Sequence, residues 1–148
     1  MLTKTLSALF TRDLNKLKTE IAAYKKEAVI WKVQEGITNS AGNLCLHIVG
    51  NLNGFIGAEL GYSGYVRQRD LEFSLKHIPR EELIEKIEAT ISIVTQVVEQ
   101  LTDEQLNSEY PLLVFKEKTA THFFLVHLAT HLTYHLGQIN YHRRLLDK

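Results

Sequence analysis

The sequence predicts an all-α chain folded as a four-helix bundle. Apolar residues recur at spacings of three and four along four segments, and both prolines, Pro79 and Pro111, stand where such a pattern starts or stops. No internal repeat, low-complexity tract or strand-and-helix alternation interrupts them. At 148 residues the chain is expected to form one domain, 1–148, large enough to bury a core without a disulfide or a structural metal.

The first segment sets Leu2, Leu6, Phe10, Leu14, Leu17, Ile21 and Tyr24 on one face, with Lys4, Arg12, Asp13, Lys16 and Lys18 mostly between them. This is an amphipathic helix of about 22 residues. It gives way near Glu27 to a separate segment, Ala28 to Thr38, which carries Gly36. Asn39 and Ser40 then offer an N-cap for a second helix, from about Ala41 to Leu60. Its glycines, Gly50, Gly54, Gly57 and Gly61, recur at helical spacing. Each costs about 1 kcal/mol against alanine, so the stripe implies close approach of another helix backbone or a tight subunit contact.

From Tyr62 to Ile78 the periodicity lapses, and Arg67, Arg69, Asp70 and Glu72 make a polar connector. A third helix opens with Pro79 in its first turn, followed by acidic Glu81 and Glu82. Its stripe is Leu83, Ile87, Ile91, Val94, Val98 and Leu101, and Thr102-Asp103 ends it. After an irregular stretch through Pro111 to Lys118, the last helix runs from about Thr119 to Leu146. The two longer connectors can cross an end of the bundle, so periodicity by itself leaves the topology open.

Charge excludes several function classes. Lys+Arg and Asp+Glu are both 17, and the isoelectric point is near 7.1. A phosphate-binding basic surface is therefore not expected, nor is nucleic acid as a partner. The single cysteine, Cys45, rules out a disulfide framework and a Cys-rich zinc module, and it reads as a small buried hydrophobe. With no apolar run near 18 residues and no signal-like N-terminal segment, no membrane association is expected and the cytoplasm is the expected compartment.

Histidine carries the chemistry. There are seven, four of them between His127 and His142. His127, His131 and His135 follow at i, i+4 and i+8 on one stripe of the last helix, and His142 falls in the same sector. Residues four apart have Cβ atoms about 5–6 Å apart, a separation that lets two imidazoles converge on one ion. The plainer role of a surface or hydrogen-bonded core histidine stands against each singly. Several imidazoles on an apolar helix, however, leave nitrogens that need partners, and a metal satisfies them at once. A third donor must come from another helix, and His47, flanked by Leu44, Cys45, Leu46, Ile48 and Val49, is placed to face inward. Glu59 and Glu20 are conceivable carboxylate ligands that no spacing singles out. His77 and His122 read as solvated, and Arg67-Gln68-Arg69-Asp70 as a polar loop. A phosphate loop and a nucleophile elbow are absent. So is HExxH, because Leu132 follows His131.

The stretch Asn39-Ser40-Ala41-Gly42-Asn43-Leu44-Cys45-Leu46-His47 resembles the start of the second helix in DinB/YfiT-like proteins, and His131-Leu132-Thr133-Tyr134-His135-Leu136-Gly137-Gln138 resembles their closing HxxxHxGQ signature. The order and separation of the two motifs also fit, as does the polar Arg67-to-Phe73 segment of one branch of DinB-like proteins. The resemblance covers essentially the whole chain. It implies an up-down-down-up four-helix bundle and a divalent metal, zinc or nickel, held by His47, His131 and His135. His127 and His142 match no ligand position. Gly137 is expected to permit close packing and Gln138 to orient a ligand. Leu136 stands where many members have arginine, and Tyr134 where a further histidine is frequent, which alters what the pocket accepts. Characterised relatives include thiol S-transferases that use low-molecular-weight thiols.

The leading expectation is thus a metalloenzyme whose three-histidine ion activates a thiol or water for transfer or hydrolysis on a small-molecule substrate. Arg67, Arg69, Tyr134 or Tyr141 would meet that substrate. The alternative is a non-catalytic homodimeric interaction module of the same fold, with Gly50, Gly54 and Gly57 as its partner face. A homodimer is expected in either case.

Overall fold

The structure, a computed structural model, describes residues 1–148. The chain is all-helical. Its elements are α1 (Leu2–Ala22), a 3-10 turn (Glu27–Trp31), α2 (Ala41–Leu52) continued by a π-helical stretch (Asn53–Ala58), α3 (Arg69–Ser74), α4 (Arg80–Gln100), α5 (Asp103–Asn107) and α6 (Thr121–Leu146). Only two isolated bridges, Gln34 with Ile37 and Glu109 with Ala120, add extended pairing. No helix is long and apolar enough to cross a membrane.

The apolar stripes do the packing. Leu6, Phe10, Leu14, Leu17 and Ile21 of α1 are buried with Leu83, Ile87, Val94 and Val98 of α4 and with Phe124, Leu125, Leu128, Leu132 and Ile139 of α6. Each such side chain contributes about 1.5–3 kcal/mol by leaving water. Leu2, expected on the same stripe, lies at the helix start and is 38% exposed. Along α1 and α4, Ser7 donates to Glu99 (2.8 Å), the Thr11 and Thr95 hydroxyls are 3.3 Å apart, and Lys18 reaches Glu88 (3.3 Å). Between α1 and α6, Thr133 donates to the buried Asp13 (2.6 Å), and Glu20 accepts from Asn140 (2.7 Å) and Arg143 (2.6 Å). Asn53 joins the π-helical stretch to Thr90 of α4 (2.9 Å), and Phe55 stacks edge-on to Phe124 of α6.

Four details differ from the periodicity reading. Ser40 caps α2 through Asn43 N–H (3.1 Å) as expected, but the α-helix stops at Leu52. The next turns are widened: Asn53 donates to the Val49 carbonyl (2.8 Å), and the Glu59 N–H bonds to the Gly54 carbonyl, five residues back. The polar connector holds the short helix α3. Pro79 is the residue before α4 rather than part of its first turn. Thr102 starts as well as stops: with Gln105 it forms a capping box for α5.

The glycine stripe is the main correction. At Gly50, Gly54 and Gly61 it admits side chains of this chain rather than another helix backbone. A Cβ at Gly50 would lie 1.9 Å from the Glu72 carboxylate, one at Gly54 3.2 Å from Arg67, and one at Gly61 2.3 Å from Val97 of α4.

Candidate metal centre

The helix geometry of α2 and α6 brings three of the seven histidines together. His47 faces α6 from a fully buried stretch of α2 and is itself buried, while His131 and His135, one turn apart on α6, are half-buried. Their ligand atoms all lie within 4.8 Å of one another. His131 Nε2 is 3.3 Å from His47 Nε2 and 3.0 Å from His135 Nε2. Two nitrogens bound to one ion at 2.0–2.1 Å and tetrahedral angles stand about 3.3 Å apart. The cluster therefore has the dimensions of a metal site, and its imidazoles could hold an ion.

Counting protons sharpens this. The Glu72 carboxylate accepts from His47 Nδ1–H (3.0 Å), so a neutral His47 turns a bare Nε2 towards the cluster. Gln138 Oε1 accepts from His135 Nδ1–H (2.7 Å), with the same result at His135. Burial, followed by the neighbouring imidazoles of His135 and His47, pushes His131 down to about 4, so it is neutral at pH 7. Burial likewise lowers His135, against the opposing bond to Gln138. His131 Nε2 thus faces two Nε2 atoms whose rings each bond an oxygen through Nδ1. A cation satisfies all three lone pairs together. Gln138, expected to orient a ligand, is thus the residue bonded to His135.

Glu72 is the residue the sequence did not single out. It sits on α3, 25 positions from His47, is 6% exposed, and receives two bonds from Arg67, Nε to Oε2 and Nη2 to Oε1, each 2.9 Å. Burial alone would raise its carboxyl, but the bonds from His47 and Arg67 and the charge of Arg67 hold it below the usual carboxylate range. Asn43, buried beside the α2 cap, donates to the Glu72 and Leu75 carbonyls (2.9 and 2.8 Å) and so docks α3 on α2. The usable signal was the glycine stripe: Gly50, three residues after His47, marks a bulky neighbour beside the ring. Phe73 supplies that ring with an aromatic wall at 5.0 Å, and Arg69 lies over Phe73 at 5.3 Å.

The other candidates part company. His127 packs edge-on to Phe115 and lies one turn before His131, with ring centres 6.1 Å apart and outside the ligand group. His142 is buried elsewhere, donating from Nε2 to the Lys32 carbonyl (2.8 Å) and accepting at Nδ1 from Tyr24 (2.7 Å). His77 is exposed, as expected, but His122 is not simply solvated, since its Nδ1 donates to the Leu106 carbonyl (2.9 Å). Glu20 is engaged by Asn140 and Arg143, and neither it nor Glu59 joins the cluster. Cys45 is buried, its thiol pushed up to about 12 by desolvation. Gly137 packs against nothing: a Cβ there would have open space. A cavity of about 440 Å³ is lined by His135, Gln138 and His142 together with Leu44, Tyr134 and Tyr141, with no Asp, Glu, Lys or Arg in its wall.

No curated protein matches the chain. The crystal structure of a conserved protein from Enterococcus faecalis is similar over 97% of this chain and 96% of its own, with a TM-score of 0.75 and 19% identity, a likeness of fold alone. The family described as "Protein of unknown function (DUF1572)" matches residues 3–148. By that match, across nearly its whole length, the chain belongs to the DUF1572 family.

Proposed function

We propose that this is a DinB-like metalloprotein in which His47, His131 and His135 hold one divalent ion, zinc or nickel. The single observation that carries this reading is the convergence of three Nε2 atoms, two of them on rings whose Nδ1 bonds an oxygen on the far side. Imidazole-only donor sets suit zinc and nickel, with copper and iron as competitors. The bundle topology proposed is up-down-down-up. The pairings Thr11–Thr95 and Lys18–Glu88 support opposite senses for α1 and α4, while Asp13–Thr133 and Glu20–Arg143 support a common sense for α1 and α6.

Three protein ligands leave a position for a water or a thiol, whose proton the ion would make easier to lose. The protein's own residues then have separable tasks. Glu72 and Gln138 hold two rings in the tautomer that presents Nε2. The half-buried faces of His131 and His135 leave the site reachable by a small molecule. Tyr134 and Tyr141, in the cavity that His135 also lines, offer hydroxyls to such a substrate, with a low-molecular-weight thiol as the candidate co-substrate. The reaction proposed is transfer or hydrolysis. In the proposal the protein is a cytoplasmic homodimer that takes no nucleic acid. Glu72, Arg67 and Val97 pack over Gly50, Gly54 and Gly61, which favours a subunit contact elsewhere than the glycine face.

The catalytic part is tested by screening the metal-loaded chain for thiol addition and for ester or amide hydrolysis. Turnover removed by a chelator and restored by zinc or nickel supports it. Turnover unaffected by chelation overturns it.

A further inference from the structure

The side chains that converge on His47 from outside the three-histidine group have a geometry that a connector loop would not produce by chance. Glu72 is a buried carboxylate and must have its charge and lone pairs satisfied. It is satisfied on both oxygens by Arg67, and one oxygen also takes the His47 Nδ1 proton. The Arg67 head is itself backed by Phe55, with the guanidinium 5.3 Å from the ring centre. Asn43 ties the α3 backbone to α2 at two carbonyls. Finally, α2 omits a Cβ at Gly50, where any other residue would collide with the Glu72 carboxylate at 1.9 Å. Three elements and one helix glycine are thus committed to placing a single carboxylate against one imidazole nitrogen.

We infer that Glu72, clamped by Arg67 in the space left by Gly50, is the positioning residue that fixes His47 as an Nε2 ligand. The inference rests on the three-histidine site proposed above. A histidine whose Nδ1 is unpartnered exchanges its proton between the two ring nitrogens and rotates, so part of the population presents the wrong atom. A carboxylate on Nδ1 holds the N–H there, aims the ring, and makes Nε2 the better donor. Glu72 touches neither the ion nor the substrate in this role.

The experiment is a competition titration of the metal-free chain with zinc, and a cobalt(II) absorption spectrum, for wild type, Glu72→Gln and Gly50→Ala. Glu72→Gln keeps the shape and removes the charge, and Gly50→Ala displaces the carboxylate without touching any ligand. The expected result is a loss of zinc affinity of about 10–100-fold in Glu72→Gln, with a changed cobalt(II) visible band in a chain that circular dichroism shows to be still folded. Gly50→Ala should show the same spectral change. Wild-type affinity and an unaltered cobalt(II) band in Glu72→Gln overturn the positioning role while leaving the three-histidine site standing. A wild-type chain that binds neither zinc nor cobalt overturns that site and this inference with it.

Discussion

His131 Nε2 lies 3.3 Å from His47 Nε2 and 3.0 Å from His135 Nε2, atoms of two rings that each donate Nδ1–H to an oxygen on the far side. Such an arrangement is costly for an ordinary core. One mobile proton on His131 Nε2 cannot serve both contacts. A bound ion removes the conflict.

His135→Ala should therefore abolish stoichiometric metal binding while the variant keeps the helical circular dichroism of the metal-loaded wild type. His135 is half-buried, and the helix core around it is formed by Leu132, Leu136 and Ile139. A collapse of helicity on this substitution would instead assign the ion a structural role.

The pH dependence of the metal-free chain should run in one direction. His131 is pushed down to about 4 and His142 is lowered as well, burial being the first cause in both. The unfolded chain, with ordinary histidines, binds more protons than the folded one below about pH 6.5. Stability of the metal-free protein is thus full above that value and falls as the pH drops towards 4, which urea unfolding at several pH values would show. A flat profile between pH 7 and 4.5 would contradict this account.

The approach of His131 to His135 was legible because they share a helix at i, i+4 and helix geometry sets their separation, while the choice of these two over His127 came from the family resemblance. His47 was legible from its apolar flanks. Glu72 was not, because an acidic residue in a polar connector carries no periodicity and its partner is 25 positions away. The end of α2 escaped for a related reason. The widening after Leu52 depends on Asn53 bonding the Val49 carbonyl and Thr90 of another helix, a tertiary contact that no local pattern encodes. His142 shared the sector of the other α6 histidines by angle, yet lies two turns on, where Tyr24 and the Lys32 carbonyl enclose it.

Tyr24→Phe should separate structure from site. The phenol donates to His142 Nδ1 at 2.7 Å in a buried contact, and its loss should cost about 1–3 kcal/mol in urea unfolding. Zinc affinity should stay at the wild-type level, because no ligand is touched. A large fall in affinity would mean that this contact sets the register of α6 at the metal centre.

Two glycines should respond with opposite signs. A Cβ at Gly42 would meet the Trp31 ring at 2.7 Å, so Gly42→Ala should destabilise by about 1–3 kcal/mol and shift the fluorescence of Trp31, the single tryptophan. Gly137 is exposed within α6 and has open space around it. Gly137→Ala should stabilise by about 0.5–1 kcal/mol. Destabilisation by Gly137→Ala would show that this face of α6 is covered by something outside the single chain.

The most direct test of the metal centre is the metal content of tag-free protein, wild type and His131→Ala side by side, by elemental mass spectrometry. The account predicts about one zinc or nickel per wild-type chain and none in the variant, since His131 Nε2 is the nitrogen that both other ligands face. No metal in the wild-type chain, even after incubation with both ions, would contradict it.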